Sequence, residues 1–136
     1  EIVGFSVMPT HSVTLVTAAL LSAIHKYPHP VILHSDHGSE YTSKDYVSLC
    51  QTLGITMSMS RKGCPWENGY QESWYGKFKI DLGDPNRFET LGELIAAIYG
   101  TIHAYNTTRI HTKLKMPPAV FAQRHQRSNL LLESVS

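Results

Sequence analysis

Two cysteines, Cys50 and Cys64, are the whole thiol inventory of a 136-residue chain. They are fourteen positions apart and lack the paired spacing of a zinc knuckle, so they read as reduced thiols of a cytosolic protein, not a disulfide framework. Long apolar runs are equally scarce. The longest, Val13 to Ile24, is too short and too rich in Thr and Ser to span a bilayer, and no secretory signal is visible. Repeats and low-complexity tracts are missing. So is any aspartate before Asp36. Net charge is only +1, which by itself identifies no partner.

What is present fits one soluble domain. The hydrophobic fraction, 42%, suffices for a single core at this length. Charge is unevenly distributed. Residues 1–60 set Lys26 and Lys44 against Glu1, Asp36, Glu40 and Asp45, a net of −2, whereas residues 61–136 carry ten basic against seven acidic side chains, a net of +3. A basic second half suits a polyanionic partner. The chain opens on EIVGFSV, without Met or a polar leader. That reads as the middle of a strand, and leads to the expectation of a piece of a longer protein.

Ile2 to Met8 alternates loosely and is expected to form a strand. Ser12 or Thr10 can cap a helix from Val13 to about Lys26, stopped by Pro28 and Pro30. Val31 to Ser35 is a short apolar strand, and Gly38 permits a sharp turn after it. Thr42 or Ser43 caps a second helix that Gly54 ends. Residues Ile55 to Ser60 alternate with period two, a further strand. RKGCPW is a loop, followed by a helix from about Glu67 to Leu82 with Tyr70, Trp74, Phe78 and Leu82 as its core stripe. Thr90 caps a long helix from Leu91 to about Asn106. The rest, with Pro117-Pro118 and a polar tail from Gln126, reads as a surface extension with a fraying end. The order is that of an α/β fold with parallel crossovers.

In such sheets, ligands gather outside the carboxyl ends of strands. Asp36 is at that end of its strand, where it either caps the following turn or holds a ligand. Glu72 and Lys79 are two helical turns apart and share a face, which is either a solvated surface or part of a site. Thirty-five residues separate Asp36 from Glu72. The blocks HSDHGSEYTS, GITMSMSRKG, WENGYQES and YNTTRIHTKLKMPP occur in this order and at this spacing. Together they resemble the catalytic core of bacterial insertion-sequence transposases and retroviral-type integrases, the DDE superfamily with a ribonuclease-H-like fold. The resemblance runs from about Ile2 to His125, so residues 1–125 read as a partial core and 126–136 as a polar tail.

The resemblance implies metal-dependent DNA cleavage and strand transfer. Phosphoryl transfer on DNA builds negative charge, which two divalent ions can offset while they activate the attacking oxygen. By family role, Asp36 and Glu72 are catalytic residues and ligands of Mg²⁺ or Mn²⁺, whose preference is for oxygen donors. Lys79, Arg61, Lys62 and Asn68 are expected DNA contacts, each against a plainer reading: a solvated charge for the basic three, a helix cap for Asn68. Trp66 either packs the loop or meets a base. Glu40, in the turn beyond Asp36, is a conceivable substitute ligand. The family's first Asp lies on an earlier strand that this sequence does not contain. The expected fold is therefore ribonuclease-H-like, lacking its first two strands. Two consequences are expected: no catalysis by the chain alone, and self-association through the exposed sheet edge. The family's helix-turn-helix, which reads element ends, has no counterpart here either. Expected partners are DNA and a second copy of the chain, with no membrane, in the cytoplasm of a bacterium and on the nucleoid when DNA-bound. The rival readings are a ribonuclease-H-like nuclease and a non-catalytic DNA-binding or subunit-interaction remnant.

Overall fold

A computed structural model describes residues 1–133. The chain divides into two compact units, one of Val3–Gly76 and one of Glu1–Ile2 with the chain from Lys77 onward. The first unit holds α1 (Val13–Ile24), β1 (Ile32–Ser35), α2 (Lys44–Thr52), β2 (Thr56–Met59) and the first half of α3 (Gly69–Leu82). The second holds the rest of α3, α4 (Leu91–Thr107) and α5 (Pro118–Glu133).

β1 and β2 pair in parallel, with Ile32 opposite Thr56 and Ser35 opposite Met59. A parallel pair needs a crossover, and α2 supplies it. Ser43 starts α2, its hydroxyl accepting the Tyr46 N–H at 3.3 Å. Gly54 ends it with a φ of +68°, a conformation that costs a glycine nothing. The crossover closes a core of Leu20, Tyr46, Cys50 and Ile55, with Val13, Val16, Ile24, Leu33, Leu49 and Met57 packed around it. Val13, Val16, Leu20 and Ile24 form one stripe of α1. Cys50 is fully buried, as its place among apolar helix positions predicts.

The expected strand over Ile2–Met8 does not form. Among the described residues the sheet has two strands, and alternation makes a strand only when a neighbour accepts its hydrogen bonds. Here side chains do so instead. The Phe5 N–H donates to Ser22 Oγ at 3.0 Å, and the same hydroxyl lies 3.2 Å from Phe5 O. In the other unit, Asn106 grips both backbone groups of Ile2, at 2.8 and 2.9 Å. Gly4 lies so close to α1 that a Cβ would stand 2.6 Å from Ala19 O and Ala23 Cβ. The small residues of α1 thus face this segment, whereas the larger ones face the core.

Three further expectations need correction. The helix expected from Glu67 begins instead as a 3₁₀ turn, Pro65–Asn68, and becomes α-helical at Gly69. Its stripe is only partly a core: Leu82 is buried, but Tyr70 is 87% exposed. The segment after Pro117 is the helix α5, not an irregular extension. Pro118 sits at its first position, where a fixed φ favours a helix start and no N–H is missed. The expected tail, Gln126–Ser136, is helical as far as Glu133, and its last three residues lie outside the described ones. The cap of α4 is as the sequence predicts. Thr90 Oγ1 accepts the Glu93 N–H while the Glu93 carboxylate accepts the Thr90 N–H, a reciprocal capping box.

Leu20→Ala removes buried methyl groups from the centre of the first unit and is expected to cost about 2–5 kcal/mol of stability. Urea unfolding followed by circular dichroism measures it.

Candidate functional site

Asp36 directly follows β1, at its carboxyl end, and is exposed. Its Oδ1 accepts the Gly38 N–H at 2.9 Å, so the turn-capping reading holds and the carboxylate still faces solvent. The register decides what lies beside it. Ser35 pairs with Met59, and the Ser60 N–H donates to Ser35 O at 3.0 Å. Asp36 and Ser60 therefore leave the sheet side by side, and the loop that follows Ser60 and leads into α3 starts at the end of β1 that carries Asp36.

That loop is braced. The Glu67 carboxylate accepts the Arg61 backbone N–H at 2.6 Å and Arg61 Nε at 2.7 Å. These two bonds, the backbone one foremost, hold the Glu67 carboxyl below the usual carboxylate range. Arg61 is thus exposed but engaged, whereas Lys62 is simply exposed. Trp66 is 70% exposed, so it does not pack the loop. Asn68 does not cap the helix backbone; its amide donates to Gln71 Oε1 at 2.9 Å. His34 spans the strands, its Nδ1 at 3.0 Å from Ser58 Oγ.

Glu72 lies in the first turn of α3, where the helix dipole favours a carboxylate, and Lys79 in its last, where it favours a cation. Both are exposed. Tyr75, three residues after Glu72 and so a neighbour on the helix surface, lies within electrostatic reach of Tyr41. Burial pushes the Tyr41 phenol above its ordinary value, and the Asp36 charge, then Tyr75 and Glu40, push it further. Tyr41 is thus felt by the turn of Asp36 and by a near neighbour of Glu72. It escaped the sequence reading because an aromatic residue in a turn carries no chemical signature, although it stands in the same block as Asp36. Tyr41 also meets Tyr46 edge-on at 5.5 Å between ring centres.

No group of three or more His, Cys, Asp or Glu side chains able to hold a metal ion occurs among the described residues. Asp36 and Glu72 nonetheless suit a hard divalent cation. Both are exposed carboxylates, and Mg²⁺ is commonly held by one or two carboxylates, with water and substrate phosphate completing its shell. Glu40 differs: it is buried and its carboxylate is taken up by the His11 ring, so the structure does not favour it as a substitute ligand.

Because the folded-state value of Tyr41 is raised, the stability it contributes is complete below pH 10, the ordinary tyrosine value, and is lost as pH rises above it. NMR of ring-labelled tyrosine should find Tyr41 titrating above pH 10. Asp36→Asn should bring it down, by removing the adjacent charge.

Two models of the integrase core domain match the chain, one over residues 1–65 and the other over residues 53–118. A transposase for insertion sequence element IS904 of Lactococcus lactis is 40% identical over 117 residues, 84% of this chain and 46% of the relative. The putative transposase InsK for insertion sequence element IS150 of Escherichia coli is 34% identical over 118 residues, 85% of this chain and 41% of the relative. The chain thus spans less than half the length of these relatives. Among solved structures, the catalytic core domain of BIV integrase superposes with a TM-score of 0.71 at 24% identity, covering 92% of this chain and 80% of that one. The HTLV-2 integrase catalytic core domain in complex with magnesium gives 0.63 at 19% identity, covering 81% of this chain and 69% of that one. These likenesses establish a ribonuclease-H-like fold. With the family models spanning residues 1–118 between them, and with transposases among its relatives, the chain belongs to the integrase core domain family.

Proposed function

We propose that this chain supplies two of the three active-site carboxylates, Asp36 and Glu72, of a transposase that cuts and joins DNA with Mg²⁺ or Mn²⁺. The observation that carries this reading is Asp36, an exposed carboxylate at the carboxyl end of β1, in the same unit as the Glu72 turn of α3. The relatives' names, and the magnesium held by one structural neighbour, support it. Asp36 and Glu72 would hold the metal, which when bound supplies charge neutralisation and a polarised oxygen. Lys62 and Lys79 contact DNA phosphates as point charges, and Arg61 does so from its braced loop. Asn68 presents an amide beside the same loop. Such binding is dominated by salt-sensitive contacts that do not read sequence.

Two carboxylates are not three. The third comes from outside these 136 residues, so the chain alone is inactive. A core over residues 1–125, followed by a tail over residues 126–136, remains the proposed division. An open sheet edge supports pairing with another strand. In the ladder, Val31 O and Ser35 O accept from β2; every second residue of a parallel strand serves one neighbour. Ile32 and His34 therefore turn their backbone groups to the open edge of β1. Val31 and Ile32 are 79% and 61% exposed there. Such an edge recruits another strand, and the proposed partner is a second copy of the chain or the rest of the core. No helix among the described residues is long and apolar enough to cross a membrane; the proposed location is the bacterial cytoplasm, on the nucleoid when DNA-bound.

A chimera that places this chain behind the preceding part of the IS904 transposase tests the reading. It should join oligonucleotide ends in Mg²⁺ or Mn²⁺, with Asp36→Asn or Glu72→Gln reducing joining to background. Lys62→Ala and Lys79→Ala should each lower the salt slope of DNA binding by about one. Hydrolysis without joining identifies a nuclease, and binding without either reaction identifies an interaction remnant. The 136-residue chain alone should sediment heavier than its 15.2 kDa monomer; a monodisperse monomer, or joining by this chain alone, contradicts the account.

A further inference from the structure

Glu40 is a carboxylate that the proposed chemistry leaves without a role. It is buried, 7% exposed, where a charge is costly unless it is paired. Its Oε1 is 2.5 Å from Nδ1 of His11, the residue before the N-cap of α1. Its Oε2 lies against Gly38. A Cβ on that glycine would stand 2.9 Å from Glu40 Oε2, 3.1 Å from Asp36 Oδ1 and 3.2 Å from the Tyr41 ring. Two carboxylates thus border the space beside one glycine, and the Asp36 oxygen involved is the one that accepts the Gly38 N–H.

The backbone of this turn does not need the Glu40 side chain. The Tyr41 and Thr42 N–H groups donate to Gly38 O, and the Ser43 N–H and hydroxyl donate to Glu40 O. Any residue at position 40 could serve those bonds. Nor does burial favour a charge there, since removing a carboxylate from water is costly. What the carboxylate adds is a tether: His11 holds it, and it borders, with Asp36 Oδ1, the space that a Cβ on Gly38 would fill.

We propose that Glu40 is a positioning residue for Asp36, tethered by His11 so that the Gly38 turn presents the Asp36 carboxylate to a divalent cation in one orientation. The proposal rests on the reading of Asp36 as a cation ligand. Groups that orient a metal ligand from behind affect metal affinity even though they do not touch the ion.

The test is a Mn²⁺ titration of the 136-residue chain, followed by paramagnetic broadening of the Asp36 and Gly38 amide signals, with a thermal melt of each variant. Glu40→Ala is expected to weaken Mn²⁺ binding about tenfold. Glu40→Gln, which keeps the shape and can still meet His11, should restore it to within about twofold of the parent. His11→Ala, at an exposed position, should show a smaller loss in the same direction, and it decides the matter if Glu40→Ala does not fold. A lowered melting temperature with unchanged Mn²⁺ affinity overturns the proposal, because the role is then structural only. Glu40→Gln as weak as Glu40→Ala also overturns it, because charge and not position would then matter. Asp36→Asn separates the two levels. If it leaves the broadening intact, the ligand reading fails and the proposal with it; if it abolishes the broadening while Glu40→Ala changes nothing, only the proposal fails.

Discussion

The parallel pairing of β1 with β2 is the constraint on which the placement of Asp36 depends. A parallel pair brings both carboxyl ends to the same side, and its register places Asp36 beside Ser60. One short strand therefore delivers the carboxylate, and its partner delivers the loop that carries Arg61 and Lys62 into the helix of Glu72. The α2 crossover makes the pairing possible, and its buried Tyr46 and Cys50 tie the sheet to α1. A slip of one residue between the strands would move the leucine and methionine side chains off the core and shift Asp36 away from that loop.

The surroundings of Asp36 are more constrained than its exposure suggests. Gly38 is the narrow point, with the Asp36 and Glu40 carboxylates and the Tyr41 ring all close to the space its missing Cβ leaves. A larger residue would have to displace at least one of them. The braced loop is the second fixed point. Glu67 takes both the backbone and the side chain of Arg61, and although an exposed ion pair adds little stability, it sets the course of the chain between β2 and α3. Turn and loop are thus held by different carboxylates, while Asp36 and Glu72 stay exposed.

Much of this was legible because it is local. Ser43, Gly54 and Thr90 announce helix ends by chemistry that acts within four residues, and the thirty-five residues between Asp36 and Glu72 are visible in the sequence itself. What was illegible depends on partners remote in sequence. Ile2–Met8 has the alternation of a strand but finds Ser22 and Asn106 in place of a ladder. Tyr70 has the spacing of a core residue but stands at the exposed start of its helix. Pro117-Pro118 reads as part of a surface extension, although its second member begins α5. The His11–Glu40 pair left no pattern at all, because α1 and β1 both lie between its members. The proposed site follows the same division: spacing points to its two carboxylates, and only the fold brings out Tyr41 and the His11–Glu40 contact beside the turn of Asp36.

The central claim is that Asp36 and Glu72 serve one cation site. Anomalous diffraction from crystals grown with Mn²⁺ tests it most directly. The account predicts a peak bound by carboxylate oxygens of both residues at about 2.1 Å, near the Mg²⁺–oxygen distance. A peak held by other side chains, or bound Mn²⁺ that touches Asp36 without Glu72, would contradict it.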